Sequence, residues 1–168
     1  FRSHKSTINI DTMLITLYET YEPVCMKQNL ELKLHLSEES YPAMLTDKDR
    51  LFQILCVFMD NAIQHSKNNS LIEIEVIATE KKIAFSVADH GQGISDEDKQ
   101  YIFDRFYSGD KSHTNKSNFG LGLSIAKELT QMLNGTIAIN DTAGGGATGA
   151  ESGSKIYNFP TGSYSIRQ

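Results

Sequence analysis

The spacing of apolar residues in this chain switches back and forth between two periods, and that alternation limits the fold more than any other feature. Leu14, Leu17, Tyr18 and Tyr21 recur at helical spacing. From Leu30 the period drops to two: Leu30, Leu32, Leu34 and Leu36 alternate with polar residues, the pattern of a half-buried strand. Helical spacing returns in Leu51, Leu55, Phe58 and Ala62. It gives way again to Ile72, Ile74 and Val76, then to Ile83, Phe85 and Val87. Helices and strands of this kind each bury one side, so a chain that alternates them folds as helices laid on a sheet.

Local signals place the boundaries. A short strand is expected over 6–10, and a helix from an Asp11 N-cap to about Lys27, which Pro23 should kink or end. A second helix runs from about Lys48 to His65 with Asp47 as cap, and Asn68-Asn69-Ser70 marks a turn. Two antiparallel-looking strands, about 71–79 and 82–89, join through Glu80-Lys81. Short helical turns are expected over 96–107, and the polar, aperiodic residues 108–119 read as a mobile loop. A third helix covers roughly 122–133, with Leu123, Ala126, Leu129 and Leu133 apolar and Gly135 ending it. A strand follows over 136–140. Glycines crowd the end of the chain, so 143–152 is expected to be a flexible loop, 153–159 a last strand, and 161–168 a disordered tail. The fold class is therefore α+β. It is a two-layer α/β sandwich with a mixed sheet of about five strands, covered on one face by three helices, in one domain over 1–160.

Composition excludes several functions. A net charge of -5 argues against a nucleic-acid binder, whose footprint is usually basic. No apolar run approaches the roughly 20 residues of a membrane span. Cys25 and Cys56 stand in apolar helical contexts and read as buried, reduced thiols. The five histidines show no metal-ligand spacing with them. The chain opens on Phe1-Arg2-Ser3 without Met, and a fragment of a longer protein is expected.

Three short patterns carry chemistry. Asp60-Asn61 interrupts a strongly periodic helix with two poor helix formers. Either both are solvated on an outer face, or Asn61 turns its amide oxygen to a Mg²⁺ ion, which favours oxygen ligands. In Asp89-His90-Gly91-Gln92-Gly93-Ile94 a strand delivers a carboxylate at its end and the backbone then turns. This is either a plain turn or an adenine seat. In the second case Asp89 accepts the exocyclic amine, Gly91 and Gly93 allow close backbone approach, and Ile94 lies against the ring. In Gly120-Leu121-Gly122-Leu123 a polar loop enters a helix through paired glycines, giving either a hinge or an anion site at the helix start. In this order the three read together as an ATP pocket.

The three patterns resemble the N, G1 and G2 boxes of the catalytic ATP-binding domain of sensor histidine kinases, the Bergerat fold shared with gyrase B, Hsp90 and MutL. Ile102-Phe103-Asp104-Arg105-Phe106-Tyr107 resembles the kinase F box, and the likeness covers about residues 8–140. It implies that Asn61 ligates Mg²⁺ and Asp89 binds adenine, while Gly91, Gly93, Gly120 and Gly122 shape the pocket. Residues 108–119 would be the ATP lid, anchored by Phe103 and Phe106. The implied ATP-contacting set also takes in His65, Ile94, Tyr107, Lys111, Leu121, Leu123, Thr148 and Ser154. The implied reaction moves the γ-phosphate of ATP to a histidine on a separate dimerisation domain, which in turn serves a response regulator. A monomer is expected for this chain alone, as a cytoplasmic domain of a membrane-anchored sensor. Three positions depart from the family pattern: Val57 stands for a second N-box Asn, Gln64 for a basic residue, and Ser108 for an Arg. They keep two alternatives open, a nucleotide-holding module without efficient phosphotransfer and an ATPase or serine kinase of the same superfamily.

Overall fold

A computed structural model of the chain describes residues 4–78, 82–90, 119–141 and 153–160. Strand β1 (Lys5–Ile8) leads into helix α1 (Ile10–Lys27), then β2 (Glu31–His35) and β3 (Met44–Asp47). Helix α2 (Lys48–His65) follows, then β4 (Leu71–Ala78) and β5 (Lys82–Ala88). Helix α3 (Phe119–Met132), β6 (Thr136–Asp141) and β7 (Gly153–Pro160) complete the described elements.

Five strands form one sheet in the order β2-β4-β5-β7-β6. Among the described strands only β2 and β4 run parallel, with α2 crossing over between them, and β4 pairs antiparallel with β5, so the sheet is mixed as expected. The last strand enters between β5 and β6, pairing antiparallel with both. Period two puts Ile72, Ile74 and Val76 of β4 and Ile83, Phe85 and Val87 of β5 on one buried face. Cross-strand register sets Ile74 opposite Val87 and Val76 opposite Phe85. The three helices meet the same core through Leu14, Leu17, Leu51, Leu55, Phe58, Ala62, Leu123 and Ala126. The two-layer sandwich with helices on one face is thus as expected. A second, two-stranded sheet of β1 and β3 was not foreseen. Its strands are four residues each, too short to show a period.

Several local expectations are corrected. Asn9, not Asp11, caps α1: its side chain accepts from the Thr12 amide at 3.0 Å, and Asp11 lies inside the first turn. Pro23 neither ends nor bounds α1, which continues to Lys27 because buried Tyr21 and Cys25 pack on both sides of it. Asn134 rather than Gly135 takes the left-handed conformation after α3 (φ 60°), while the Gly135 amide donates to the Thr130 carbonyl at 2.8 Å. Asn29 ends α1 in the same way, with the Leu30 amide donating to the Cys25 carbonyl. Helix α3 starts at Phe119, earlier than expected, so Gly120 and Gly122 lie within it.

Asp47 caps α2 as foreseen, accepting from the Arg50 amide at 3.3 Å. Its other oxygen accepts from the His4 amide at 3.1 Å, tying the small sheet to the start of α2. Among the described residues no helix is long and apolar enough to cross a membrane. Both cysteines are free, Cys25 buried and Cys56 half-buried. Burial raises both thiols above their ordinary range, which leaves them unreactive.

Candidate nucleotide site

Helix α2 is the shared wall of the site, because it packs against both α3 and β5. Asn61 lies on this helix, while α3 carries Gly120 and Gly122 and Asp89 directly follows β5. Asp60 and Asn61 are adjacent, about 100° apart around the helix, and the structure sends them to different neighbours. Asp60 is exposed and accepts the Tyr21 hydroxyl of α1 at 2.8 Å. Asn61 is only 4% exposed, and among the described residues neither its amide oxygen nor its amide nitrogen has a hydrogen-bond partner.

An orphaned buried amide is unusual, since leaving a buried polar group unmade costs about 1–3 kcal/mol. The solvated outer-face reading thus describes Asp60 and not Asn61. The free amide oxygen is a hard donor of the kind Mg²⁺ takes, so the residue present fits that ion. Among the described residues no group of three or more His, Cys, Asp or Glu side chains could hold a metal.

One turn before Asn61, Val57 faces the start of α3. A Cβ built on Gly122 would stand 3.5 Å from Val57 Cγ1, an ordinary van der Waals distance. The family position that usually holds a second Asn is here an apolar contact. Space alone does not demand glycine at 122. We expect Gly122→Ala to raise the melting temperature of the ligand-free chain, since alanine is favoured in a helix by about 1 kcal/mol. If α3 begins at the nucleotide, the same change is expected to weaken ATP binding by stiffening the glycine-containing start of the helix. Calorimetry and thermal melting on one sample read both effects, and a lower melting temperature would mean the helix contact is too tight.

Asp89 follows β5 directly and is 3% exposed. Backbone register puts Ser154 of β7 beside Ala88, so the last strand runs next to the residue that precedes Asp89. His90, the next residue, reaches across to β4: Glu73 Oε2 accepts from its Nε2 at 3.4 Å. The other oxygen of Glu73 accepts from His35 Nε2 of β2 at 3.0 Å. One carboxylate therefore ties three strands at the end of the sheet that carries Asp89. The sequence held no signal for it, because the three residues are far apart and at unrelated spacings.

Partial burial raises the Glu73 carboxyl, but the hydrogen bonds and charges of His35 and His90 outweigh it, and the net shift is downward. A depressed folded value means Glu73 contributes stability above its unfolded pKa and loses it as pH falls through the folded one. We expect Glu73→Gln to lower the melting temperature near pH 6, and the two chains to converge only once the pH has fallen below the depressed folded-state value of Glu73, under the ordinary glutamate range. A variant deficit that persists unchanged to low pH would refute this origin.

The remaining site residues divide clearly. His65 is exposed in the last turn of α2. Leu123 is buried in the hydrophobic core. Gly120 and Leu121 lie in the first turn of α3. Gly91, Gly93, Ile94, Phe103, Phe106, Tyr107, Lys111 and Thr148 lie outside the described residues, as do Glu80-Lys81, residues 108–118 of the expected lid (Phe119 begins α3), the 143–152 loop and the 161–168 tail.

Residues 46–151, more than half of the chain, match the family described as "Histidine kinase-, DNA gyrase B-, and HSP90-like ATPase". The sensor protein CiaH of Streptococcus pneumoniae is 35% identical over 127 residues, covering 75% of this chain and 28% of the relative. The chain thus spans little more than a quarter of the length of that curated relative. Among solved structures, full-length ShkA in complex with AMPPNP superposes with a TM-score of 0.82 at 22% identity, over 99% of this chain and 32% of that one. The catalytic domain of histidine kinase ThkA gives 0.78 at 23% identity, over 94% and 96%. At such identities the structural likenesses speak for the fold.

Proposed function

This chain belongs to the histidine kinase-, DNA gyrase B- and HSP90-like ATPase family, and from that membership we propose that it is the catalytic, ATP-binding domain of a sensor histidine kinase. The observation that carries the reading is the buried amide of Asn61, unpartnered among the described residues, on α2, the helix that packs against both α3 and β5. Bound Mg²⁺ would supply charge neutralisation on the phosphates. Asn61 would offer it the free amide oxygen and fix where the phosphates lie. Asp89 would accept the adenine amine, which favours adenine over guanine because guanine presents a carbonyl there. Gly120 and Gly122 would let the start of α3 approach the phosphates through backbone N–H groups. Residues 108–119 would close over the nucleotide, anchored by Phe103 and Phe106.

Phosphoryl transfer asks mainly for positioning and charge stabilisation, which suits a site with few reactive side chains. The acceptor would be a histidine on a dimerisation domain elsewhere in the full-length protein, with a response regulator next in the relay. The whole would be a membrane-anchored sensor, with this domain on the cytoplasmic side. Val57 favours a second reading, in which the domain holds nucleotide without efficient transfer, because its apolar contact with Gly122 replaces a polar group.

The test is incubation with γ-labelled ATP and a separately produced histidine-containing dimerisation domain. Acid-labile phosphohistidine on that domain is the expected product. Tight Mg-ATP binding without any product would favour the second reading, and acid-stable phosphoserine on a partner would indicate a serine kinase.

A further inference from the structure

Asp60 is the residue of the Asp60-Asn61 pair that nucleotide binding leaves unexplained, and the structure supplies its partner. The Tyr21 hydroxyl of α1 lies 2.8 Å from Asp60 Oδ1 and 3.0 Å from the Cys56 carbonyl oxygen. Those two acceptors are the ends of one helical turn of α2. In an α-helix the Cys56 carbonyl also accepts the Asp60 amide, so the hydroxyl addresses the hydrogen bond that closes this turn. Tyr21 is 7% exposed and packed in the core, which leaves its ring little freedom. Burial first, then the hydrogen bond to Asp60, hold the phenol protonated far above its ordinary range. It is therefore a permanent donor.

We propose that Tyr21, acting through Asp60 and the Cys56 carbonyl, is a positioning residue that sets the rotation of the α2 turn from which Asn61 projects. The inference rests on the reading of Asn61 as the Mg²⁺ ligand. Asn61 is the next residue after the tethered turn, and its amide makes no bond that would orient it. On that turn, the side chain facing α3 at Gly122 is the apolar Val57, which offers no directional hydrogen bond. The directional restraint comes from α1. Magnesium demands near-ideal octahedral geometry, so a small rotation of one ligand costs metal affinity. The adenine seat at Asp89 is on a different element and does not share that restraint.

This separates a positioning role from a merely structural one. In the 168-residue chain, Tyr21→Phe is expected to leave ATP affinity in EDTA within about twofold, while the gain in affinity on adding Mg²⁺ falls about tenfold, the size of effect seen when outer-shell partners of metal ligands are removed. Asp60→Asn keeps the oxygen acceptor and is expected to retain most of the gain. Asp60→Leu should lose it. The side-chain amide resonances of Asn61 in the ligand-free chain report the same restraint without nucleotide, and Tyr21→Phe should shift them. A loss of stability alone would lower the melting temperature and leave the magnesium gain intact, which overturns the proposal. An equal loss with and without Mg²⁺ overturns it too. Asn61→Ala distinguishes the levels. If Asn61→Ala keeps the gain, the metal reading and this inference fall together. If it loses the gain while Tyr21→Phe keeps it, only the inference falls.

Discussion

Replacing Asn61 with alanine is expected to move stability and ligand affinity in opposite directions. The ligand-free chain should melt at the same temperature or higher, and the magnesium-dependent part of ATP binding should disappear. The stability side follows from the orphaned amide. Both polar atoms are buried without partners among the described residues, a condition that costs about 1–3 kcal/mol. Alanine removes that cost and is also the better helix former, by up to about 0.7 kcal/mol. The small void left by the amide works against these gains but not enough to reverse them. The affinity side follows from what the amide is kept for. Contacts of this class to charged groups are worth about 1.5–3 kcal/mol, which is roughly a 10- to 100-fold loss of affinity. Thermal melting without ligand and calorimetry with and without Mg²⁺ read the two effects. A chain that melts lower and binds Mg-ATP as before would show Asn61 to be an ordinary structural residue.

Asp89→Asn is expected to weaken ATP binding by about 100-fold and to leave the fold intact. The substitution keeps shape and volume, so it opens no cavity at a position only 3% exposed. Removing a charge from such a buried place should not by itself unfold the chain. The binding loss arises because a carboxylate only accepts, whereas an amide both accepts and donates. A hydrogen bond to an ionised acceptor is also about twice as strong as a neutral one. The arrangement should lose its preference for adenine along with its strength. The measurement is paired titration with ATP and GTP, backed by circular dichroism. Unchanged ATP affinity in a folded variant would mean that the adenine seat is elsewhere.

Much of this molecule was legible from neighbours in sequence. The α2 boundaries and the Asp47 cap came out as expected, because a cap needs only a side-chain oxygen three residues before the amide it accepts. The buried faces of β4 and β5 followed from period two alone. Where local reading erred, tertiary packing overrode it. Pro23 lies inside α1 although its ring costs a backbone bond, since the residues around it are held in the core. The strand expected over 6–10 appears as β1, but its partner β3 was missed because four residues are too few to express a pattern, and each strand depends on the other for its hydrogen bonds.

The chemistry divides along the same line. The identity and order of Asn61, Asp89, Gly120 and Gly122 are properties of the chain, and the nucleotide reading could be drawn from them without coordinates. That Asn61 is buried and unpartnered while Asp60 beside it is exposed and tied to Tyr21 could not be. Nor could the parallel pairing of β2 with β4, the entry of β7 between β5 and β6, or the joining of His35 and His90 through Glu73. Periodicity and capping act over a few residues, so sequence alone determined the elements and the types of side chain offered to the site. Those remaining features bring together residues tens of positions apart. They exist only once α2 is seated against α1, α3 and the sheet, and that seating is what buries one of two adjacent polar residues and ties the other to Tyr21.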